Sequence, residues 1–250
     1  MTSFWTAATS ILLDELFQLY GAGDERAHRL AAAPSYTSYL DWLADRDPAV
    51  SRAAWAEALS GVDGPTLVAP QVPGAGTAVP ERVARRLSTP RTAALAGRAR
   101  EAGVTLGTVV QVAWGLLLRQ LSGQSDVLFG MTVSGRTAEV EGIETMVGLL
   151  INTLPARVRV DPGDTLLDLL DRVQNEQLDL FEHHHVGLTE IQQLAGFGSL
   201  FDTTTIFDNY PTGTGERHLG KARLTGVSGF DATHYPLSLI STPPRSWGSG

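Results

Sequence analysis

The chain has 250 residues, no cysteine, 43% hydrophobic and 18% charged residues, and a net charge of -8 from 27 acidic and 19 basic side chains. That length suits one or two domains folding without staples, and the missing cysteine excludes a disulfide framework, thiolate zinc sites and a cysteine nucleophile. The only lysine is Lys221; the arginine skew reads as codon bias, and the one basic concentration (Arg82, Arg85, Arg86, Arg91, Arg98, Arg100) as a solvated helix flank rather than a nucleic-acid face.

In chain order, residues 4–20 predict a helix with Leu12, Leu13, Leu16, Phe17 and Tyr20 on one face, stopped by Gly21 and Gly23. Helices follow over 36–45 and 49–60, with Tyr36, Tyr39, Leu40, Leu43, Trp55 and Leu59 inward and Gly61 closing the second. The Gly/Pro-rich stretch 61–80 reads as a linker. Beyond it, helices are expected over 90–102 and 105–121, the second burying Val109, Val112, Ala113, Leu116, Leu117 and Leu121. Asp126 to Val133 reads as a buried strand ending at Ser134-Gly135. Leu154 to Val160 alternates, with Leu154, Ala156, Val158 and Val160 inward and Arg157 and Arg159 outward. Residues 165–181 form the clearest helix, capped by Thr165 with Asp168 three residues on and striped by Leu166, Leu169, Leu170, Val173 and Leu178. Further strands are expected at 203–209, 222–228 and 234–241. The class is α/β or α+β with a mixed sheet. No apolar run approaches the about 20 residues of a membrane span, and Met1 to Trp5 lacks the features of a signal peptide, so a cytoplasmic protein without a membrane partner is expected.

Several motifs invite a chemical reading. His183-His184-His185 points successive rings about 100° apart on a helix, so three cannot converge on one ion; a helix C-terminus, where imidazoles meet the negative end of the dipole, is the better reading and no metal is expected. Gly215 to Lys221 spells most of a phosphate-binding loop, but Ala222 stands where Ser or Thr is needed and strand, not helix, follows, so no nucleotide binding is expected. Neither Val133-Ser134-Gly135 nor Val227-Ser228-Gly229 makes a serine nucleophile elbow. Asp41 and Asp45 are ordinary surface carboxylates.

Two stretches are more specific: Asp126-Val-Leu-Phe-Gly-Met-Thr-Val-Ser-Gly-Arg136 and Val147-Gly-Leu-Leu-Ile-Asn-Thr-Leu-Pro-Ala-Arg157. They occur in order with Tyr36-Thr-Ser-Tyr-Leu-Asp-Trp42, Leu200-Phe-Asp-Thr-Thr-Thr-Ile-Phe-Asp-Asn-Tyr-Pro211 and His234-Tyr-Pro-Leu-Ser-Leu239. The ordered set closely resembles the condensation domains of nonribosomal peptide synthetases. The resemblance implies a chloramphenicol acetyltransferase-like two-lobe fold, with residues 1–70 as the end of the first lobe, 71–80 a linker and 81–247 most of the second lobe; the closing Gly248-Ser249-Gly250 (248–250) is expected, from its composition alone, to be an appended scar. It implies amide-bond formation between thioesters tethered to phosphopantetheine arms of acyl or peptidyl carrier domains, beside an adenylation domain, with no cofactor of the chain's own.

The same resemblance implies a His-His-x-x-x-Asp-Gly motif just upstream of the first helix. Met1-Thr-Ser-Phe-Trp5 does not contain it, and His184-His185 matches a different, downstream segment, so no catalytic residue is assigned and the chain reads as truncated at both ends. Arg136 resembles the position whose guanidinium braces the motif aspartate, and is expected to face solvent or a substitute carboxylate. Gly148 is expected at a close backbone approach or a positive φ, and Asn152 and Thr153 to satisfy backbone groups before lining a tunnel. His234 and Tyr235 complete the candidates, His234 as a substitute base. Alternatives are a non-catalytic docking platform for carriers or tailoring enzymes, and an acyltransferase completed in trans; an uncovered sheet would favour self-association.

Overall fold

The computed structural model describes residues 6–22, 30–69, 80–208, 217–219, 222–224 and 234–242. In chain order these form α1 (Thr6–Ala22), α2 (Tyr36–Ala44), α3 (Pro48–Ala58), α4 (Thr89–Glu101), α5 (Leu106–Ser122), β1 (Asp126–Ser134), β2 (Ile151–Arg159), α6 (Leu166–Asp179), α7 (Leu188–Ala195), β3 (Thr203–Phe207), β4 (Arg217–Leu219), β5 (Ala222–Leu224) and β6 (Leu237–Ser241), with single 3₁₀ turns at Ile143–Thr145 and Phe181–His183. No single helix among the described residues is long and apolar enough to cross a membrane.

Helix starts follow the chemistry of the preceding side chain. Ser35, Asp47 and Thr105 accept from first-turn amides of α2, α3 and α5, each satisfying a donor that the helix leaves unpaired. Thr165 and Asp168 make the reciprocal capping box at α6 that their spacing predicts. Gly61 and Gly123 take φ of +72° and +75° behind α3 and α5, a conformation that costs a residue with a Cβ.

Two compact units result, each drawn from separate stretches of chain. The smaller comprises Met1–Arg46, Ser134–Ile151 and Asn209–Ala232, and the larger Asp47–Val133, Asn152–Asp208 and Thr233–Gly250. The described residues on both sides of 71–79 therefore belong to the larger unit, while 71–79 themselves lie outside the described residues.

A four-stranded sheet orders its strands β2-β1-β3-β6. β1 pairs with β3 and β3 with β6 in parallel, with Gly130 opposite Thr204 and Thr203 opposite Leu237. Gly135 N donates to Leu150 O and Val160 N to Ser125 O, the register of an antiparallel β1–β2 pair. In the larger unit, Val127, Phe129 and Met131 of β1 pack with Val112, Trp114 and Leu118 of α5 and Leu169, Leu170 and Val173 of α6. The alternate residue Leu128 joins Trp55 and Leu59 from α3, Ile191 of α7, Leu154, Val186, Leu200 and Phe201. In the smaller unit Tyr39, Val140, Ile143, Met146 and Leu150 form their own cluster.

Several sequence expectations shift. Leu40, Leu117, Leu121, Leu166 and Leu178 are exposed. On α5 the buried face is centred instead on Thr108, Gln111, Val112, Trp114, Gly115 and Leu118, because Gly115 lets the helix approach Val158: a Cβ there would lie 2.6 Å from that side chain. Arg157 turns from the apolar face of β2 but not to solvent, its side chain being only 10% exposed. β4 is a strand the sequence pattern did not show; it pairs antiparallel with β5, and Arg217–Leu219 fall within the phosphate-loop lookalike. Gly215, Glu216, Gly220 and Lys221 lie outside the described residues, as do Gly23 and residues 209 and 225–228 of the expected strands.

Candidate functional site

In the smaller unit Arg136 stands just after β1. Its guanidinium donates to the carbonyls of Ile143 and Met146, the latter at 3.0 Å. Backbone carbonyls thus take the place of the expected carboxylate or solvent, and the cation holds the 143–146 turn closed. Gly148 meets the expectation of a close approach: it has no positive φ, and a Cβ would overlap the ring of Tyr36. The Tyr36 hydroxyl in turn donates to Leu149 O at 2.9 Å. Tyr39 and Trp42 continue this aromatic row along α2, with ring centroids 5.7 Å apart. Glu139 accepts from Trp42 Nε1 at 3.1 Å and from Arg46, whose guanidinium lies 4.3 Å over the Trp42 ring. These hydrogen bonds hold the Glu139 carboxyl below its ordinary pKa.

In the larger unit Asn152 opens β2. Its amide nitrogen donates to His184 O at 2.9 Å and Val186 O at 2.7 Å, and its oxygen accepts from Thr153 N at 2.9 Å. Every polar atom of the side chain is used on backbone, the structural reading that its residue type suggested. Thr153 presents its methyl near Gly130. The turn that Asn152 fastens is the histidine run. Trp55 Nε1 donates to His183 O at 3.1 Å, and Ser51 Oγ, buried in α3, lies 3.0 Å from His183 Nδ1 and 3.3 Å from His185 Nε2.

The proton order of this array follows from one atom. His185 Nδ1 sits 3.0 Å from Glu182 O, and a carbonyl only accepts, so Nδ1 carries the hydrogen, and in the neutral ring Nε2 offers a lone pair. Ser51 therefore donates to His185 and accepts from His183 Nδ1–H. His184 turns the other way. Its Nε2 is buried without a hydrogen-bond partner among the described residues, and burial, reinforced by His183 and His185, pushes its pKa down to about 4, so the ring is neutral at pH 7. With Trp55, Met131, Glu176 and Gln177 it lines a small cavity of about 30 Å³. Burial raises the pKa of the Glu176 carboxyl against the pull of Arg157, Arg159 and Arg172. No three His, Asp or Glu side chains among the described residues converge as metal ligands.

His234 and Tyr235 precede β6. Their rings lie 4.1 Å apart, and Tyr235 packs against Phe201 at 5.8 Å, with burial raising the pKa of its hydroxyl. Of the six candidates, Arg136 and Gly148 belong to the smaller unit, and Asn152, Thr153, His234 and Tyr235 to the larger. Sequence reasoning missed Ser51, although it shares a helix face with Trp55 four residues on.

The profile of the Condensation domain matches residues 6–246. The chain belongs to the condensation-domain family. Among curated relatives, this condensation-domain chain is 40% identical over 241 residues to chondramide synthase cmdD of Chondromyces crocatus, covering 94% of the chain and 6% of that synthase. It is 32% identical over 238 residues to surfactin synthase subunit 3 of Bacillus subtilis (strain 168), covering 93% of the chain and 19% of the subunit. The starter condensation domain of rhizomide synthetase RzmA superposes with a TM-score of 0.69 at 18% identity, over 96% of this chain and 55% of that one. The X-domain from teicoplanin biosynthesis superposes with a TM-score of 0.68 at 22% identity, over 96% and 57%. The condensation-domain chain thus spans a small fraction of the synthetases it resembles and about half of the solved domains. The expected fold class, a mixed sheet with flanking helices in the condensation-domain fold, is the one found.

Proposed function

We propose that this condensation-domain chain contributes to amide-bond formation between aminoacyl or peptidyl thioesters held on the phosphopantetheine arms of carrier domains, in a synthetase that also carries an adenylation domain. The observation that supports this reading is the match of residues 6–246 to the condensation-domain family. In the reaction the acceptor amine attacks the donor thioester carbonyl, the C–N bond forms, the C–S bond breaks, and the donor thiol leaves with the proton that the amine gives up. Within the chain, Arg136 and Asn152 fix the segments that follow β1 and open β2. A general base or positioning histidine of the kind the resemblance implies would come from a His-His-x-x-x-Asp-Gly segment.

The test is a transfer assay with two loaded carrier domains, reading dipeptidyl-carrier product by mass spectrometry, with the chain alone and with a separately expressed polypeptide bearing that motif. Product with both components, lost when either is omitted, supports condensation completed between the two. Product from the chain alone points to a base within it, for which His234→Ala is the first substitution. Carrier binding without product in either mixture overturns the amide-forming reading in favour of a docking platform.

A further inference from the structure

Six of the chain's 19 basic residues fall between Pro80 and Glu101, against two acidic ones, Glu81 and Glu101. All six arginines are exposed, as is every residue from Pro80 to Ser88, which forms neither helix nor strand. Arg98 pairs with Glu101 at 3.2 Å and Arg85 donates to the adjacent Ala84 carbonyl. Arg82, Arg86, Arg91 and Arg100 have no carboxylate partner among the described residues. Arg91 stands in the first turn of α4, which holds no acidic residue, where the positive end of the helix dipole opposes a cation. Between the arginines, Val83 and Leu87 are 71% and 57% exposed. Mutual repulsion, an adverse dipole and two wetted aliphatic side chains all act against this strip in the free chain, and all three are relieved by an acidic protein surface with an apolar centre.

We propose that the strip Arg82–Arg100 is the docking surface for the acidic face of a phosphopantetheinyl carrier domain, an assignment that rests on the function proposed above. The carrier's prosthetic phosphodiester is a fixed anion, and a guanidinium can take two of its oxygens at once. Protein is favoured over nucleic acid because the rest of the chain is strongly acidic and a long polyanion laid on so short a strip would run onto it, whereas Val83 and Leu87 suit a protein interface.

The experiment measures binding of this chain to a purified carrier domain, in apo and holo forms, from ~50 to ~300 mM salt. Arg82→Glu/Arg85→Glu/Arg86→Glu is compared with the milder Arg85→Ala/Arg86→Ala and with Arg119→Ala, an exposed arginine at the end of α5 outside the strip. The expected result is a wild-type Kd that weakens ~10-fold with salt, a further ~10-fold loss in the triple variant, a smaller loss in the double variant at unchanged Tm, and no change in Arg119→Ala. Holo binding tighter than apo assigns part of the contact to the phosphodiester. Carrier binding that survives the triple substitution overturns the strip while leaving the carrier reading intact. Absence of carrier binding by the wild type also overturns it, and the transfer assay then decides separately on amide formation. Equal, arginine-dependent binding of a labelled RNA oligonucleotide would overturn the choice of a protein partner.

Discussion

Arg157 grips Asp126 through both Nε and Nη2, at 2.9 and 2.6 Å, while its Nη1 donates to the carbonyls of Ala58 and Ser60 at 2.8 and 2.9 Å. One guanidinium thus joins β1 and β2 and satisfies carbonyls that α3 leaves unpaired at its C-terminus. Arg157→Ala strands a partly buried carboxylate together with these carbonyls and is expected to cost about 3 kcal/mol. Arg157→Lys keeps the charge without the planar fork and should recover only part of the loss. Urea denaturation of the two variants checks both; equal stability of Arg157→Lys and wild type would show that charge alone suffices.

Asn152 offers a sharper contrast, because its partners His184 O and Val186 O are both acceptors. Asn152→Asp replaces two donors by an oxygen facing two oxygens, and should destabilise more than Asn152→Ala. Each lost hydrogen bond costs about 1–3 kcal/mol when its partner remains buried. The order of melting temperatures, wild type above Ala above Asp, is the readout.

Stability should fall as pH drops from about 6.5 towards 4. His184 has a folded pKa near 4 against 6.5 for the free side chain, so between these values the unfolded chain takes up a proton that the folded chain refuses. The loss attributable to this group is of the order of a few kcal/mol, and is complete below its folded pKa. Glu176 acts with the opposite sign: its raised pKa favours the fold below the ordinary glutamate value, and that contribution is lost as pH rises through the folded value. Because the two contributions run in opposite directions with pH, substitution separates them. His184→Gln should flatten the dependence of the urea midpoint between about pH 4 and 6.5, and an unchanged slope would exclude His184 as its source.

Gly115→Ala should destabilise although alanine is the better helix former by about 1 kcal/mol. The added methyl would meet Val158 at 2.6 Å, and overpacking of this kind costs about 1–3 kcal/mol. Pairing it with Val158→Ala should restore much of the loss, a coupling that a double-mutant cycle reads directly.

The elements were legible where local chemistry sets them. The Thr165–Asp168 box, the glycine behind α3 and the apolar run of β1 each stood in the sequence with its cause beside it. What escaped depends on partners distant along the chain. Leu117 and Leu121 look like core residues of α5 until Gly115 is seen to be the point of closest approach. Arg157 looks solvent-facing by alternation, because nothing near it announces Asp126 or the end of α3. Ser51 becomes meaningful only against histidines 132 and 134 residues away. The candidate site shows the same division: motif order announced Arg136 and Asn152, whereas their partners, backbone carbonyls in both cases, carry no side-chain signature.

The parallel pairing of Gly130 with Thr204 and of Thr203 with Leu237 also sets the sequence of events as the polypeptide leaves the ribosome. β1 and β2, antiparallel neighbours joined by residues 135–150, can associate as soon as both have emerged, but the second edge of β1 must wait until β3 arrives some seventy residues after β1, and the far edge of β3 until β6. Closing such long loops precedes any reward from pairing them, which slows assembly and leaves a hydrogen-bonding edge open in the meantime. A pause in synthesis between β1 and β3, or between β3 and β6, should therefore favour capture of the open edge by unrelated strands.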